Sequence, residues 1–277
     1  IRDRTAHGGE LLVAQDTWFA PTDVTLGPDG AIYVSDWHDA RTAHPDPDAD
    51  WDRSNGRIYR LAPRDTPTAR SFDLARASVP DLNSLLVHRS QWYVRRARLE
   101  LARRYHEPLN GDRAAIESLR SSWIEQATND ADETSALEAV WAIAQTSGVN
   151  EPTAATLLKS PHAAVRAWII RLLGDRRTLS DDLAHMLDGL AETEPSIDVR
   201  QQLACSAARF DARHALPIIN ANINRDLATD RQDPYLPLLW WWAVEKQSIS
   251  GREEVLRRFV RPTLWKSQLG RDVLLPR

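Results

Sequence analysis

Along residues 1–62 apolar and polar positions alternate with a period of two, and four short runs carry the alternation: "ELLVAQ" (10–15), "TDVTLG" (22–27), "AIYVSDW" (31–37) and "GRIYRLA" (56–62). Each predicts a strand. The pattern sets Val24 and Leu26 on one face of the second strand, and Ile32 and Val34 on one face of the third. Pro28-Asp29-Gly30 predicts a tight hairpin, because glycine takes a positive φ without a steric penalty. A long loop, residues 38–55, joins the last two runs and carries "HPDPDADWD". Four antiparallel strands in sequence fit one blade of a β-propeller. A blade covers its faces only with other blades, and nothing later in the chain resembles these strands.

After a connector rich in Pro, Arg, Ser and Thr (63–79), the period changes to 3.6 and stays there. Five segments read as equivalent long helices: "SQWYVRRARLELARR", "TSALEAVWAIAQTSG", "SPHAAVRAWIIRLLGDR", "EPSIDVRQQLACSAARF" and "DPYLPLLWWWAVEK". Shorter first helices such as "DLNSLLVH", "TAATLLKS" and "SDDLAHMLDGL" precede them. The aligned core positions Val94, Leu137, Val165, Val199 and Leu238 are spaced 43, 28, 34 and 39 residues apart. Helix pairs at such a spacing stack into a HEAT- or armadillo-like α-solenoid. Val-Arg recurs at 94–95, 165–166 and 199–200, which predicts a core Val and an Arg near an acid of a neighbouring repeat. Helix starts are predicted at Ser160-Pro161, at Asp233-Pro234 and at a capping box from Ser250 to Glu253.

The expected fold is therefore mostly α, a solenoid preceded by one four-stranded antiparallel propeller blade. Its expected parts are the closing blade of a truncated propeller (1–62), a linker (63–79) and a HEAT-like array cut short at its C-terminal end (80–277). The chain has no initiator Met and reads as an internal piece of a longer protein.

Composition narrows the function. Hydrophobic residues make up 42% and charged residues 27% of the 277, as in a protein with a substantial core. The net charge is -4, and the bases, nearly all Arg, are interspersed with acids. That is not the basic face of a nucleic-acid binder. No apolar run is long enough to span a bilayer. The single cysteine, Cys205, leaves no room for an internal disulfide, a Cys-based zinc site or a C-x-x-C-H haem attachment. It reads as a small buried hydrophobe in a helical run.

Chemistry concentrates in the loop that holds Asp36, His38, Asp39, His44, Asp46, Asp48, Asp50, Asp52 and Arg53. In a propeller blade such a loop opens near Asp23, over the channel. His44 is the candidate general base. Asp23, Asp36, His38, Asp52 and Arg53 are candidates for the channel loop. Oxygen-rich groups there could hold Ca²⁺ or a polar substrate, although the spacing is not that of an EF-hand. The plainer reading is a solvated loop with Asx turns, with Asp23 and Asp36 bonding backbone amides. Trp240, Trp241 and Trp242 point three ways on a helix and read as repeat packing with one ring exposed. Arg95, Arg166 and Arg200 read as inter-repeat ion pairs ahead of a partner surface.

Trp18, Phe19, Asp23, Val24, Gly27–Gly30, Tyr33, Val34, Asp36, Trp37, His44 and Gly56–Tyr59, with "WYVRRARLELARR", "VRAWIIRLLGD" and "DPYLPLLWWWAVE", resemble the planctomycete and verrucomicrobial proteins labelled "membrane-bound dehydrogenase domain" or PVC-type haem-binding CxxCH proteins. The resemblance implies a propeller similar to PQQ-dependent sugar dehydrogenases, HEAT-like repeats and a cytochrome c domain. It implies periplasmic or cell-envelope oxidation of a sugar or polyol, with electrons passed to haem. PQQ, Ca²⁺ and haem c would then sit in regions other than this chain, and the fragment alone is not expected to turn over. Ala20 stands where the family has Arg, and there is no CxxCH. The alternative is a non-enzymatic propeller and HEAT scaffold for a protein partner or a polysaccharide.

Overall fold

The computed structural model describes residues 9–38, 54–69, 73–107, 112–260, 264–274 and 276. The chain divides into two compact units, Ile1–Ala97 and Arg98–Arg277. It is mostly helical with one small sheet.

In the first unit, β1 (Pro21–Leu26), β2 (Ile32–Asp36) and β3 (Arg57–Leu61) form an antiparallel sheet in the order β1-β2-β3. The sheet thus has three strands where four were expected. Residues 10–15 join no ladder among the described residues; Leu11 and Val13 are 86% and 66% exposed, and Gln15 turns left-handed at φ 52°. Apolar alternation becomes a strand only beside a partner strand, and among the described residues this segment pairs with none.

The hairpin forms where the sequence places it. The Gly30 amide donates to the Gly27 carbonyl at 3.0 Å, and Gly30 has φ 76°. Gly27 is required for a different reason: a Cβ there would lie 2.3 Å from the Tyr33 ring. Asp29 ties the turn to β3, accepting from the Ala31 amide (3.1 Å), the Tyr33 hydroxyl (3.0 Å) and Arg60 Nε (2.8 Å).

Cross-strand register gives the two faces of the sheet. Val24 pairs with Val34, Leu26 with Ile32, and these with Tyr59 and Leu61, so one face is apolar. Val24 is nevertheless 64% exposed on this face. The other face carries Asp23, Thr25, Tyr33, Ser35, Ile58 and Arg60. Register shifts between Pro21 and Asp23 and sets Pro21 opposite Asp36.

The helices begin with α1 (Val79–Ser84) and α2 (Gln91–His106). A capping box starts α1: the Asp81 amide donates to Ser78 Oγ at 3.2 Å and the Ser78 amide to Asp81 Oδ2 at 3.3 Å. The box expected at Ser250 is absent, because that residue still belongs to the preceding helix and Gly251 becomes the cap.

The second unit continues from the end of α2 with α3 (Asp112–Ser118), α4 (Arg120–Asn129), α5 (Glu133–Gln145), α6 (Glu151–Leu157) and α7 (Ala163–Arg176). Then follow α8 (Asp181–Thr193), α9 (Ile197–Ala207), α10 (Ala212–Arg225), α11 (Ala228–Gln232), α12 (Leu236–Ser250) and α13 (Arg252–Phe259). Successive helices stack in two rows: α4, α6, α8 and α10 in one, α5, α7, α9 and α12 in the other. Apolar residues at helical spacing fill the space between rows, with Ile143, Leu157, Ile169, Leu187, Leu203 and Ile219 fully buried. The α7–α9 contact is close enough to need Gly174, where a Cβ would lie 2.6 Å from Ser206 Oγ.

The Val-Arg motif works at two of its three sites. Val165 and Val199 are fully buried; Arg166 donates to Glu194 at 2.9 and 2.6 Å, and Arg200 chelates Asp230. Arg95 is exposed instead; the buried acid Glu138 is met one turn later, by Arg98. Leu137 and Leu238 are half-buried rather than central, and neighbours such as Ala136, Val140 and Trp240 take the core. Trp240 is buried, Trp241 half-buried and Trp242 is 53% exposed, as three rings a hundred degrees apart must be. Cys205 is half-buried, and burial pushes its thiol up. No helix among the described residues is long and apolar enough to cross a membrane.

Candidate functional site

Among the described residues of the first unit, the end of β2 gathers a cluster of polar side chains. A strand that ends must satisfy its last amides, and Asp36 does this with one carboxylate oxygen. Its Oδ1 accepts from the Ala20 amide at 3.0 Å and the His38 amide at 2.9 Å, while the Trp37 amide donates to the Ala20 carbonyl at 2.9 Å. These bonds hold the segment before β1 against the exit of β2. They also hold His38 in the left-handed region, at φ 51°. Such a backbone costs energy outside glycine and persists only where its surroundings over-determine it.

A second carboxylate completes the cluster. Asp16 Oδ1 accepts from the Trp18 amide at 3.0 Å, and its Oδ2 accepts from Arg57 Nη1 at 2.9 Å and bonds His38 Nε2 at 3.2 Å. Arg57 comes from β3, directly across from Asp36 in the ladder. Its Nη1 also donates to the Tyr59 hydroxyl at 3.3 Å and lies 3.9 Å from Asp36 Oδ2, too far for a hydrogen bond. The Trp18 ring lies 5.6 Å from the imidazole, and Phe19 meets Tyr59 edge-on at 5.7 Å. The Asp36 side chain is fully buried and that of His38 is 9% exposed, whereas Arg57 is 43% exposed at the rim.

The electrostatics follow from this geometry. The Arg57 guanidinium, then the Trp18 amide, hold the Asp16 carboxyl below the usual carboxylate range, overcoming partial desolvation; His38 pulls the same way. Arg57 is held above its ordinary value by Asp16 first and by Tyr59. An ionised Asp16 can only accept, so His38 Nε2 carries the proton between them. The Asp16 pKa is depressed on folding. Its stabilising contribution is therefore full above the unfolded value of ~3.9 and is lost as pH falls through the folded value. Acid titration of the folded protein, followed by the chemical shifts of the Trp18 and His38 amides, should show this segment loosening below about pH 4. In Arg57→Gln the loosening should begin at higher pH.

Of the residues expected from sequence, Asp36 and His38 are brought together here. Asp23 is not: it is exposed on the other face of the sheet, opposite Ser35, and its carboxylate accepts its neighbour's amide, Val24 N, at 2.8 Å. His44, Asp52 and Arg53 lie outside the described residues, as do Asp39, Asp46, Asp48 and Asp50. Asp16 and Arg57 were missed. Arg57 lies in "GRIYRLA", which reads as a strand, and Asp16 lies between two strand-like runs. Only the cross-strand register brings Arg57 to Asp36. Among the described residues no group of three His, Cys, Asp or Glu side chains is arranged to hold a metal ion. The Ca²⁺ implied by the resemblance is not assigned to this cluster.

Known proteins add a boundary and little more. Among solved structures, the chain is similar to an engineered protein from the Northeast Structural Genomics Consortium, 18% identical, with a TM-score of 0.34 over 74% of this chain and 98% of that one. No curated protein matches. A family model described as a domain of unknown function (DUF7133) matches residues 2–65, the stretch that holds the sheet and the whole Asp16–Asp36–His38–Arg57 cluster.

Proposed function

We propose that this chain is part of a sugar or polyol dehydrogenase-like protein of the periplasm or cell envelope. In this reading the sheet belongs to a propeller blade, and the stacked helix pairs form a HEAT-like solenoid that spaces or docks an electron-accepting cytochrome c domain. One observation carries the reading: a buried histidine, strained at its backbone and oriented by an ionised aspartate, beside a second buried carboxylate. A carboxylate-oriented imidazole is suited to taking a proton from a substrate hydroxyl. The uncovered Val24 and Leu26 support the blade, since an apolar face on a three-stranded sheet calls for further sheet to cover it. The redox cofactor, PQQ by resemblance, would accept the hydride. The residues of this chain would bind and orient the hydroxyl and hold its proton at His38.

A scaffold for a protein or polysaccharide is the second reading. It is favoured by Asp36 Oδ1, which is spent wholly on backbone amides. The two are separated by assaying the full-length gene product, exported in its native compartment, for dye-linked oxidation of a sugar and polyol panel with and without PQQ and Ca²⁺. The dehydrogenase reading expects PQQ-dependent turnover, with His44→Ala deciding whether that loop residue takes part. A well-folded protein that oxidises nothing in the panel leaves the scaffold.

A further inference from the structure

The tip of the β1–β2 hairpin and the turn that leads into α2 enclose an open cleft of about 640 Å³ within the first unit. That is the size of a small-molecule site. The cleft shares no residue with the cluster at the end of β2. Leu26, Pro28 and Pro67 give it an apolar wall, and His88, Arg89 and Tyr93 a polar one.

Several polar groups of the wall are already engaged. Asp29 also lines the cleft, but Arg60 matches its charge at 2.8 Å, and its oxygens take the Ala31 amide and the Tyr33 hydroxyl as well. His88 Nδ1 accepts from the Ser90 amide at 3.0 Å and so holds no proton. The neutral ring therefore carries its proton on Nε2, where it meets no acceptor among the described residues. The Tyr93 ring meets the imidazole edge-on at 4.8 Å and holds its orientation. Arg89 is exposed and makes no ion pair or hydrogen bond among the described residues. What the cleft still offers is one positive charge and one imidazole N–H, from adjacent residues.

That remainder selects a ligand. An ammonium group or a metal ion would be repelled by Arg89, and His88 has no lone pair left for either. A phosphate dianion brings two charges to a cleft with one spare positive charge and the Asp29 carboxylate in its wall. A single carboxylate matches the charge, accepts bidentately from a guanidinium and takes the imidazole N–H. We propose that this cleft binds a small organic carboxylate, its anionic head on Arg89 and His88 Nε2–H and its apolar body against Leu26, Pro28 and Pro67. The inference does not rest on the dehydrogenase reading.

The test uses the full-length protein and calorimetry, with hexanoate and benzoate as probes beside benzamide and inorganic phosphate. The carboxylates are expected to bind saturably and to move the His88 ring resonances and the Gly27 and Gly30 amides. Benzamide and phosphate should bind about tenfold more weakly or worse. Arg89→Gln, at an exposed position, should keep the melting temperature and weaken the carboxylates by about tenfold or more. His88→Asn keeps an acceptor for the Ser90 amide and removes the Nε2–H; it should weaken them too, and it decides the matter should Arg89→Gln fail to fold. Arg95→Gln, also exposed on α2, should bind as the wild type does. No saturable binding by either carboxylate, equal binding by benzoate and benzamide, or undiminished binding in folded Arg89→Gln or His88→Asn would overturn the inference. So would phosphate binding as tightly as benzoate, or an equal loss in Arg95→Gln, which would mark diffuse attraction in place of a site.

Discussion

Replacing Arg200 with alanine should cost the helical stack roughly 3–5 kcal/mol, the range for removing one partner of a buried ion pair. The reason lies in what remains. Arg200 and Asp230 have side chains only 2% and 3% exposed. Arg200 Nε reaches both carboxylate oxygens, at 3.1 and 3.0 Å, and Nη1 donates to the carbonyls of Glu194 and Pro195 at 3.0 and 2.8 Å. One guanidinium thus closes the turn before its own helix and fastens the next repeat. Without it, Asp230 is a buried charge with too few donors, and the Pro195 carbonyl loses its donor while that of Glu194 keeps only Arg225. Guanidinium unfolding followed by circular dichroism measures the loss. The double replacement Arg200→Met with Asp230→Leu should recover most of it, because the stranded charge goes too. A single-site loss below about 1 kcal/mol would mean that water or a neighbour replaces the arginine.

Trp240→Ala should be of similar size, about 3–5 kcal/mol, while Trp242→Ala two residues on should stay within about 0.5 kcal/mol. Trp240 is fully buried on α12, whereas Trp242 is 53% exposed. The Trp240 indole nitrogen is also buried without an acceptor. Trp240→Phe should therefore cost less than its lost volume suggests, since it removes an unsatisfied donor as well. The same unfolding experiment on the three variants checks the order. Equal losses at 240 and 242 would mean the helix is rotated about its axis.

Local signals explain what could be read in advance. Pro28-Asp29-Gly30 dictates its own turn, and apolar residues at 3.6 spacing dictate helices, so the hairpin and the five long helices fall where the pattern puts them. That Arg166 and Arg200 meet an acid of a neighbouring repeat is legible because the Val-Arg motif repeats; which acid is not. The motif failed at Arg95 because the first repeat takes its ion pair a turn later, through Arg98. Residues 10–15 misled because alternation reports a preference for strand and not the presence of a partner strand. The cluster was half legible. Asp36 and His38 lie in one short motif, but Asp16 and Arg57 lie far from it in sequence, and only strand register and a chain reversal bring them in.

On the proposed dehydrogenase reading, the cluster at the end of β2 is the working part of this chain. Turnover of the full-length protein on the sugar and polyol panel, in His38→Asn beside Arg95→Ala, tests this most directly. The account predicts that kcat/KM falls by about a hundredfold or more in His38→Asn, with the melting temperature kept, and stays at the wild-type level in Arg95→Ala. Wild-type turnover in folded His38→Asn would contradict it.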